Sequence, residues 1–345
     1  MLKGFEERFP KNRIITDENG LGSVMVYIPR FNLNEVIEGA SDTPHPAFVY
    51  DGKILDGIYI SKFQNTVING RAYSLPNEDP TTHVDFDEAI AACSAKGEGW
   101  HGMTAFEWGA IALWCQKNGF LPHGNNDGGK DIREEEIVAR IAYCDLEKGV
   151  CRTATGSGPE TWSHNGRTDG IYDLNANVWE WSGAMRLVYG EVQMCESISR
   201  QEVDSPYWRA IDASTGELII PDGTGKTKGS VKLDFRDGIW MYTSVARDTL
   251  NKNRFCDFAK VYADGTLCKK AKEILYSLAL LSANDDFDYE GVSLYANNGA
   301  SERIAFRGGR YGQGKNAGVF KTCLDDPRGF KGDPIGFRSV YYSLQ

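Results

Sequence analysis

Along this chain of 345 residues, short apolar runs alternate with glycine-rich and polar stretches, and two segments keep a helical period behind a start signal. In VDFDEAIAACSAKG, Asp85 can cap the helix, Phe86, Ala89, Ile90 and Cys93 fall on one face, and Gly97 can end it. In HGMTAFEWGAIALWCQKNG, Thr104 and Glu107 form a capping box ahead of the stripe Ala105, Trp108, Ile111, Ala112 and Cys115. Strand signals lie at MVYIP (25–29), GIYISKFQNTV (57–67), Ile304 to Phe306, Val319 with Phe320, and Ile335 to Tyr342, all enriched in β-branched and aromatic residues. The span 118–159 reads as loop apart from the charged DIREEEIVARIAYC (131–144), whose acidic first turn predicts a helix. Farther on, GELIIPDGTGKTKGSVKLDF (216–235) predicts a hairpin, and Ile274, Leu275, Leu278 and Leu281 predict one more helix.

The most informative stretch is 303–342, where Gly308, Gly309, Gly312 and Gly314 punctuate a polar segment held between apolar strands. Arg310, Tyr311, Gln313, Lys315, Lys321, Cys323, Asp325, Asp326, Arg328, Phe330 and Lys331 are unlike side chains with no packing period, a composition suited to binding. Tyr311, Phe330, Arg310 and Arg328 are the expected anchors, because aromatic and Arg side chains dominate interface hot spots. Tyr295, Asn297 and Asn298 are expected to extend the patch, whereas Phe306, Phe320, Phe337 and Val340 belong to the core.

A composition 41% hydrophobic and 25% charged is that of a globular protein, and the net charge of −10 argues against nucleic acid as a partner. No run approaches the roughly 20 apolar residues of a membrane span, and the first residues lack the apolar core of a signal peptide. The eight cysteines include no CxxC pair, and most read as reduced core or surface thiols. GTGKT (223–227) lacks the first glycine of a phosphate loop, that position being Ile220, and DFDYEG (286–291) has Asn297 where a calcium loop needs a bidentate Glu.

The pattern Arg307-Gly308-Gly309, then AGVF at 317–320, then IGFR at 335–338, resembles the end of a C-type-lectin-type domain. Formylglycine-generating enzymes share that domain with the variable proteins of diversity-generating retroelements, and the spacing resembles the second group. MVYIP and GIYISKFQNTV are similar to the family's opening strands, and HGMTAFEWGAIALWC to its helix motif, with Met103 and Thr104 where that motif has Pro and Thr. GIYDLNANVWEWSG at 170–183 looks very like the family's scaffold motif, with Ala176 in place of its usual Gly.

The resemblance implies an α+β fold: one domain over 1–345 with a small twisted antiparallel sheet flanked by two helices, a core from 22–183 and 290–345, and an insertion at 184–289. It implies a binding protein whose C-terminal region, 303–342, is rewritten by a retroelement to vary specificity. The expected partner is a protein or glycan on a host or environmental cell surface, and the expected location a virion tail or a displayed position on a cell. It also implies a structural calcium held by Asp173 and Glu180 with the carbonyls of Ala176 and Val178, and no other cofactor. The alternative is a formylglycine-generating oxidoreductase or an inactive relative. Those enzymes bind copper through paired C-terminal cysteines, whereas this region has only Cys323, so no catalytic residues are expected.

Overall fold

The computed structural model describes Phe9 and residues 11–343 apart from 135. A five-stranded antiparallel sheet runs in the order Asn12–Thr16, Gly22–Pro29, Gly57–Ser61, Ser339–Tyr341, Trp100–Gly102, so the end of the chain lies between its early strands. Alternation explains its orientation: Val26, Ile28, Ile58, Ile60 and Val340 turn to the main core. The second sheet holds twelve strands and is mixed. Its centre is Ser293–Ala296, Gly318–Leu324, Arg303–Gly308 and Trp179–Val188, the first two parallel and the rest antiparallel.

The α+β expectation holds, and the small antiparallel sheet is corrected. Residues 184–289 do not sit apart on a finished core. Glu191–Cys195, Lys232–Arg236 and Ile239–Thr243 continue the second sheet from the edge of Trp179–Val188, and Leu233, Trp240, Tyr242 and Leu275 join Trp108 and Ile111 in one cluster.

Both expected helices form with their capping boxes, Phe86–Ser94 behind Asp85 and Ala105–Lys117 behind Thr104. The second is buried on almost every side, and Gly109 lets it approach the Lys269–Ser277 helix: a Cβ there would lie 2.1 Å from the Ser277 carbonyl. Arg307 joins the same helix to the sheet. Its buried guanidinium donates to the carbonyls of Leu278 at 2.7 Å and Ala279 at 3.4 Å, and to Thr322 Oγ1, meeting the negative end of the helix. Burial brings its pKa down to about 9.

Two local expectations are overturned. Among its described residues DIREEEIVARIAYC forms no helix. Asp131 accepts from the Gly124 N–H at 2.8 Å and Asn126 Nδ2 at 3.0 Å and is gripped by Arg133, which closes a turn, and Ile141–Asp145 becomes a strand against Val150–Thr153. Ile137, Val138 and Ile141 are exposed, so a helix here would bury no stripe. That hairpin sets Cys144 opposite Cys151 with their sulfurs 3.3 Å apart, a neighbourhood that a search for CxxC spacing does not find. In 216–235 the two strand signals separate: Leu218–Ile219 pairs with Trp208–Ile211, and Lys232–Arg236 with Ile239–Thr243. The intervening GTGKT is a loop tied by the Thr227 N–H to Glu191, with no helix behind it.

The NVWEW segment joins the layers. Trp181 packs 4.2 Å from the Phe306 ring and 5.7 Å from Phe86, centroid to centroid, and its indole N–H donates to the Val84 carbonyl at 3.0 Å. Truncation of a buried aromatic of this kind costs about 3–5 kcal/mol, so Trp181→Ala should lower chemical-denaturation stability by that amount. Ala176 is held at φ 69°, where an L side chain is disfavoured. Ala176→Gly should therefore raise stability by about 0.5–1 kcal/mol, the relief of strain exceeding the added freedom of the unfolded chain.

Candidate functional site

Strand alternation opens a groove on one face of the second sheet. In Gly318–Leu324, Phe320 and Leu324 turn to the main core, whereas Lys321 and Cys323 face the other way. Cys323 pairs with Tyr295 on one side and Phe306 on the other, giving a row of side chains across three strands. Trp179, Phe306 and Ile335 form an apolar floor that belongs to a second core cluster with Phe86, Trp181 and Phe337. Arg310, Gln313, Asn316, Asp326 and Phe330 line the rest of a cavity of about 540 Å³.

The polar groups of the floor are matched to each other. Lys321 is buried, and its ammonium donates to Ser293 Oγ; burial lowers its pKa. Cys323 donates its thiol proton to Asp325 at 2.8 Å, and burial, reinforced by the Asp325 charge, holds that thiol well above its ordinary pKa. Asp325 also accepts from Asn253 Nδ2 at 3.0 Å. Asp326 is raised to about 6, first by burial and then by the neighbouring Asp325 charge.

Of the residues singled out in sequence, Arg310, Gln313, Lys321, Cys323, Asp325, Asp326, Phe330 and Tyr295 meet in this groove. Several others do not serve as surface contacts. Tyr311 is only 2% exposed, so its assignment as an anchor is corrected. Arg328 is committed to structure: it forks onto Glu302 at 2.8 and 3.1 Å, pairs with Asp87 at 2.8 Å, and donates to the Gln201 carbonyl. Lys331 pairs with Asp85 and Glu88 at the start of the Phe86–Ser94 helix, and Lys315 is exposed outside the groove lining.

Asn297 and Asn298 are buried ties. Asn297 donates to Asn251 and Asn253, and Asn298 donates to the Leu233 and Asp248 carbonyls and accepts from Arg254. The reading of the sequence missed Trp179 and Phe306 as floor residues, because their strand signals point equally to core, and missed Phe255 altogether. Phe255 stands opposite Tyr295 across a strand pair, with ring centroids 6.3 Å apart, and only that pairing brings it to the site.

The oxygens expected to hold calcium meet protein donors. The carbonyls of Asp173, Ala176 and Val178 and Glu180 Oε1 do converge, but on the side-chain amide nitrogen of Gln64, at 3.2, 3.2, 3.0 and 3.0 Å. Glu180 is gripped by the Arg338 guanidinium at 2.5 and 2.6 Å, and the Asp173 carboxylate turns to the Gly156 N–H at 3.0 Å. The Gln64 amide and the Arg338 guanidinium thus occupy the oxygens of this turn, while Asp173 Oδ1 is buried without a hydrogen-bond partner and burial raises that carboxyl to about 6.

The raised pKa of Asp326 has a definite sign. Between 3.8 and about 6 the folded protein keeps a proton that the unfolded chain has lost, so this group's contribution to stability falls as pH rises through that window. Asp326→Asn should raise the melting temperature at pH 7 and lose that advantage toward pH 4, as read by thermal melts across the range.

No protein-family model and no curated protein matches the chain. Among solved structures it is similar to Treponema denticola variable protein 1, at 12% identity and a TM-score of 0.37, covering 96% of this chain and 98% of that one. It is also similar to PvdO from Pseudomonas aeruginosa, at 13% identity and a TM-score of 0.36, covering 95% of this chain and 97% of that one.

Proposed function

We propose that this is a ligand-binding protein of the retroelement-diversified kind, and that the groove floored by Trp179, Phe306 and Ile335 is its binding face. The observation that carries the reading is a division of labour at the groove. Its floor is packed into a core cluster, whereas Arg310, Gln313 and Asn316, on the loop between two strands, and the 39% exposed Phe330 stand on its rim. Side chains so placed can change while the backbone and floor stay as they are. An aromatic floor with mixed charges above it suits a macromolecular partner, and a protein or glycan on a cell surface is the proposed class.

Binding is favoured over copper oxidation by the state of Cys323. Copper takes up thiolates, and here the sulfur is buried and spends its proton on Asp325.

A library randomising Arg310, Gln313, Lys315, Asn316 and Phe330 together tests the reading. Surface changes of this kind shift stability by no more than about 0.5 kcal/mol each, so most members should melt close to the parent, and selection against unrelated proteins should enrich binders. Tyr311→Ser and Arg328→Ser should instead melt markedly lower. A library that mostly fails to fold, or folds and yields no binder, would overturn the proposal.

A further inference from the structure

Cys144 and Cys151 stand directly opposite one another on the hairpin of Ile141–Asp145 and Val150–Thr153. Residues so opposed across an antiparallel pair have Cα atoms about 4.5–5.5 Å apart, inside the span of about 4.4–6.8 Å that a disulfide bridges, so rotation of the side chains can join them. The thiols already face each other: Cys144 donates to the Cys151 sulfur at 3.3 Å, and Cys151 donates to the Gly128 carbonyl at 3.5 Å. They also differ in access. Cys144 is exposed and Cys151 half-buried, whereas Cys93, Cys115, Cys195, Cys256 and Cys323 are buried and Cys268 caps a helix. A dissolved oxidant therefore reaches Cys144 first.

The hairpin has much to gain from a cross-link. It is a two-stranded sheet of its own with Ile141, Tyr143 and Leu146 exposed, and an isolated pair of strands is marginal in water. Its second strand nevertheless supports the rim of the groove. The Cys151 carbonyl accepts from Asn125 Nδ2 at 2.9 Å, and the Thr153 N–H donates to Asn177 Oδ1 at 2.9 Å. The Asn177 carbonyl in turn accepts the Tyr311 N–H at 3.1 Å, and the Asn126 carbonyl accepts the Gly314 N–H at 2.9 Å. The loop carrying Arg310 to Asn316 thus hangs on residues beside the hairpin.

We propose that Cys144 and Cys151 are a modification site, a dithiol that low-molecular-weight disulfides convert to a reversible disulfide, and that this bond steadies the hairpin beneath the rim loop. The Cys144 thiolate breaks the oxidant's S–S bond, releases one thiolate and forms a mixed disulfide; Cys151, giving up its proton, then attacks the Cys144 sulfur and releases the second. Two protons and two electrons leave the protein and end on the two released thiols. Burial and the Cys144 hydrogen bond push the Cys151 thiol up to about 11, which leaves the entering role to Cys144. The bond closes a short loop, takes little entropy from the unfolded chain and is exposed, so excess thiol reopens it. Its formation does not depend on what the groove binds.

Oxidised glutathione added to the reduced full chain tests this. The intact mass should fall by two hydrogens. After trypsin, which cuts at Lys148, residues 141–148 and 149–152 should run as one linked species that excess reduced glutathione separates. Cys151→Ser should instead trap a glutathione adduct at Cys144, and Cys144→Ser, at an exposed position, should lose the linked species. Neither cysteine belongs to a core cluster, so both variants should fold. Hydrogen exchange over 149–153 and 310–316 should slow at least about threefold in the oxidised parent and stay unchanged in Cys151→Ser treated in the same way. A parent that stays reduced or stops at the glutathione adduct, a bond that excess thiol does not reopen, or unchanged exchange at 310–316 once the bond has formed would each overturn the inference.

Discussion

Arg338 and Glu180 form an ion pair with essentially no exposure, and the layers of the protein meet on it. Two charges leave water here, which is costly unless every remaining polar atom finds a partner. The partners come from two other parts of the chain: the Ser61 and Tyr172 carbonyls accept the other guanidinium hydrogens, and Gln64, close after Ser61, donates to Glu180 and the surrounding carbonyls. The pair therefore fixes an early strand, the NVWEW segment and the last strand against one another. Removing one partner of such a pair leaves an uncompensated buried charge, which typically costs about 3–5 kcal/mol. The same packing puts an amide nitrogen at the centre of an oxygen-rich turn, so the turn is held by protein donors.

The groove inherits its rigidity from that junction. Trp179 and Ile335 flank the Glu180 strand pairing, since Trp179 is registered against Ile335 and Glu180 against Gly336. The floor thus cannot move without disturbing the buried pair, whereas the loop carrying Arg310 to Asn316 turns at Gly309, with φ 95°, and leaves the sheet. A Cβ at Gly308 would come within 2.9 Å of the Leu174 carbonyl, which explains why the segment leaves the sheet through consecutive glycines.

The middle of the chain does more than fill space. Arg307 caps its helix, Phe255 and Asn253 reach the groove, and its hairpins extend the sheet. One stretch thereby contributes both to the groove and to the sheet that carries it.

Much of the scaffold was legible from local chemistry. Asp85 with Glu88 and Thr104 with Glu107 announce their helices because a cap satisfies backbone groups within a few residues, a matter the local sequence settles. The glycine-punctuated polar run between apolar strands in 303–342 located the groove segment, because unlike exposed side chains on a turn-rich stretch suit binding more than packing. Tertiary structure alone decided the rest. Tyr311 and Arg328 look like surface contacts in a polar run, yet one is buried and the other is held by Glu302, Asp87 and Gln201, residues far away in sequence. Asp131 to Cys144 has helical composition but no surface to cover, so the turn at Asp131 and a strand partner prevail. Phe255, the Cys144 and Cys151 pair and the Gln64 cage owe their roles to strand pairing and long-range packing. Composition and spacing carry no record of those contacts, since partners that meet only after folding leave no local pattern.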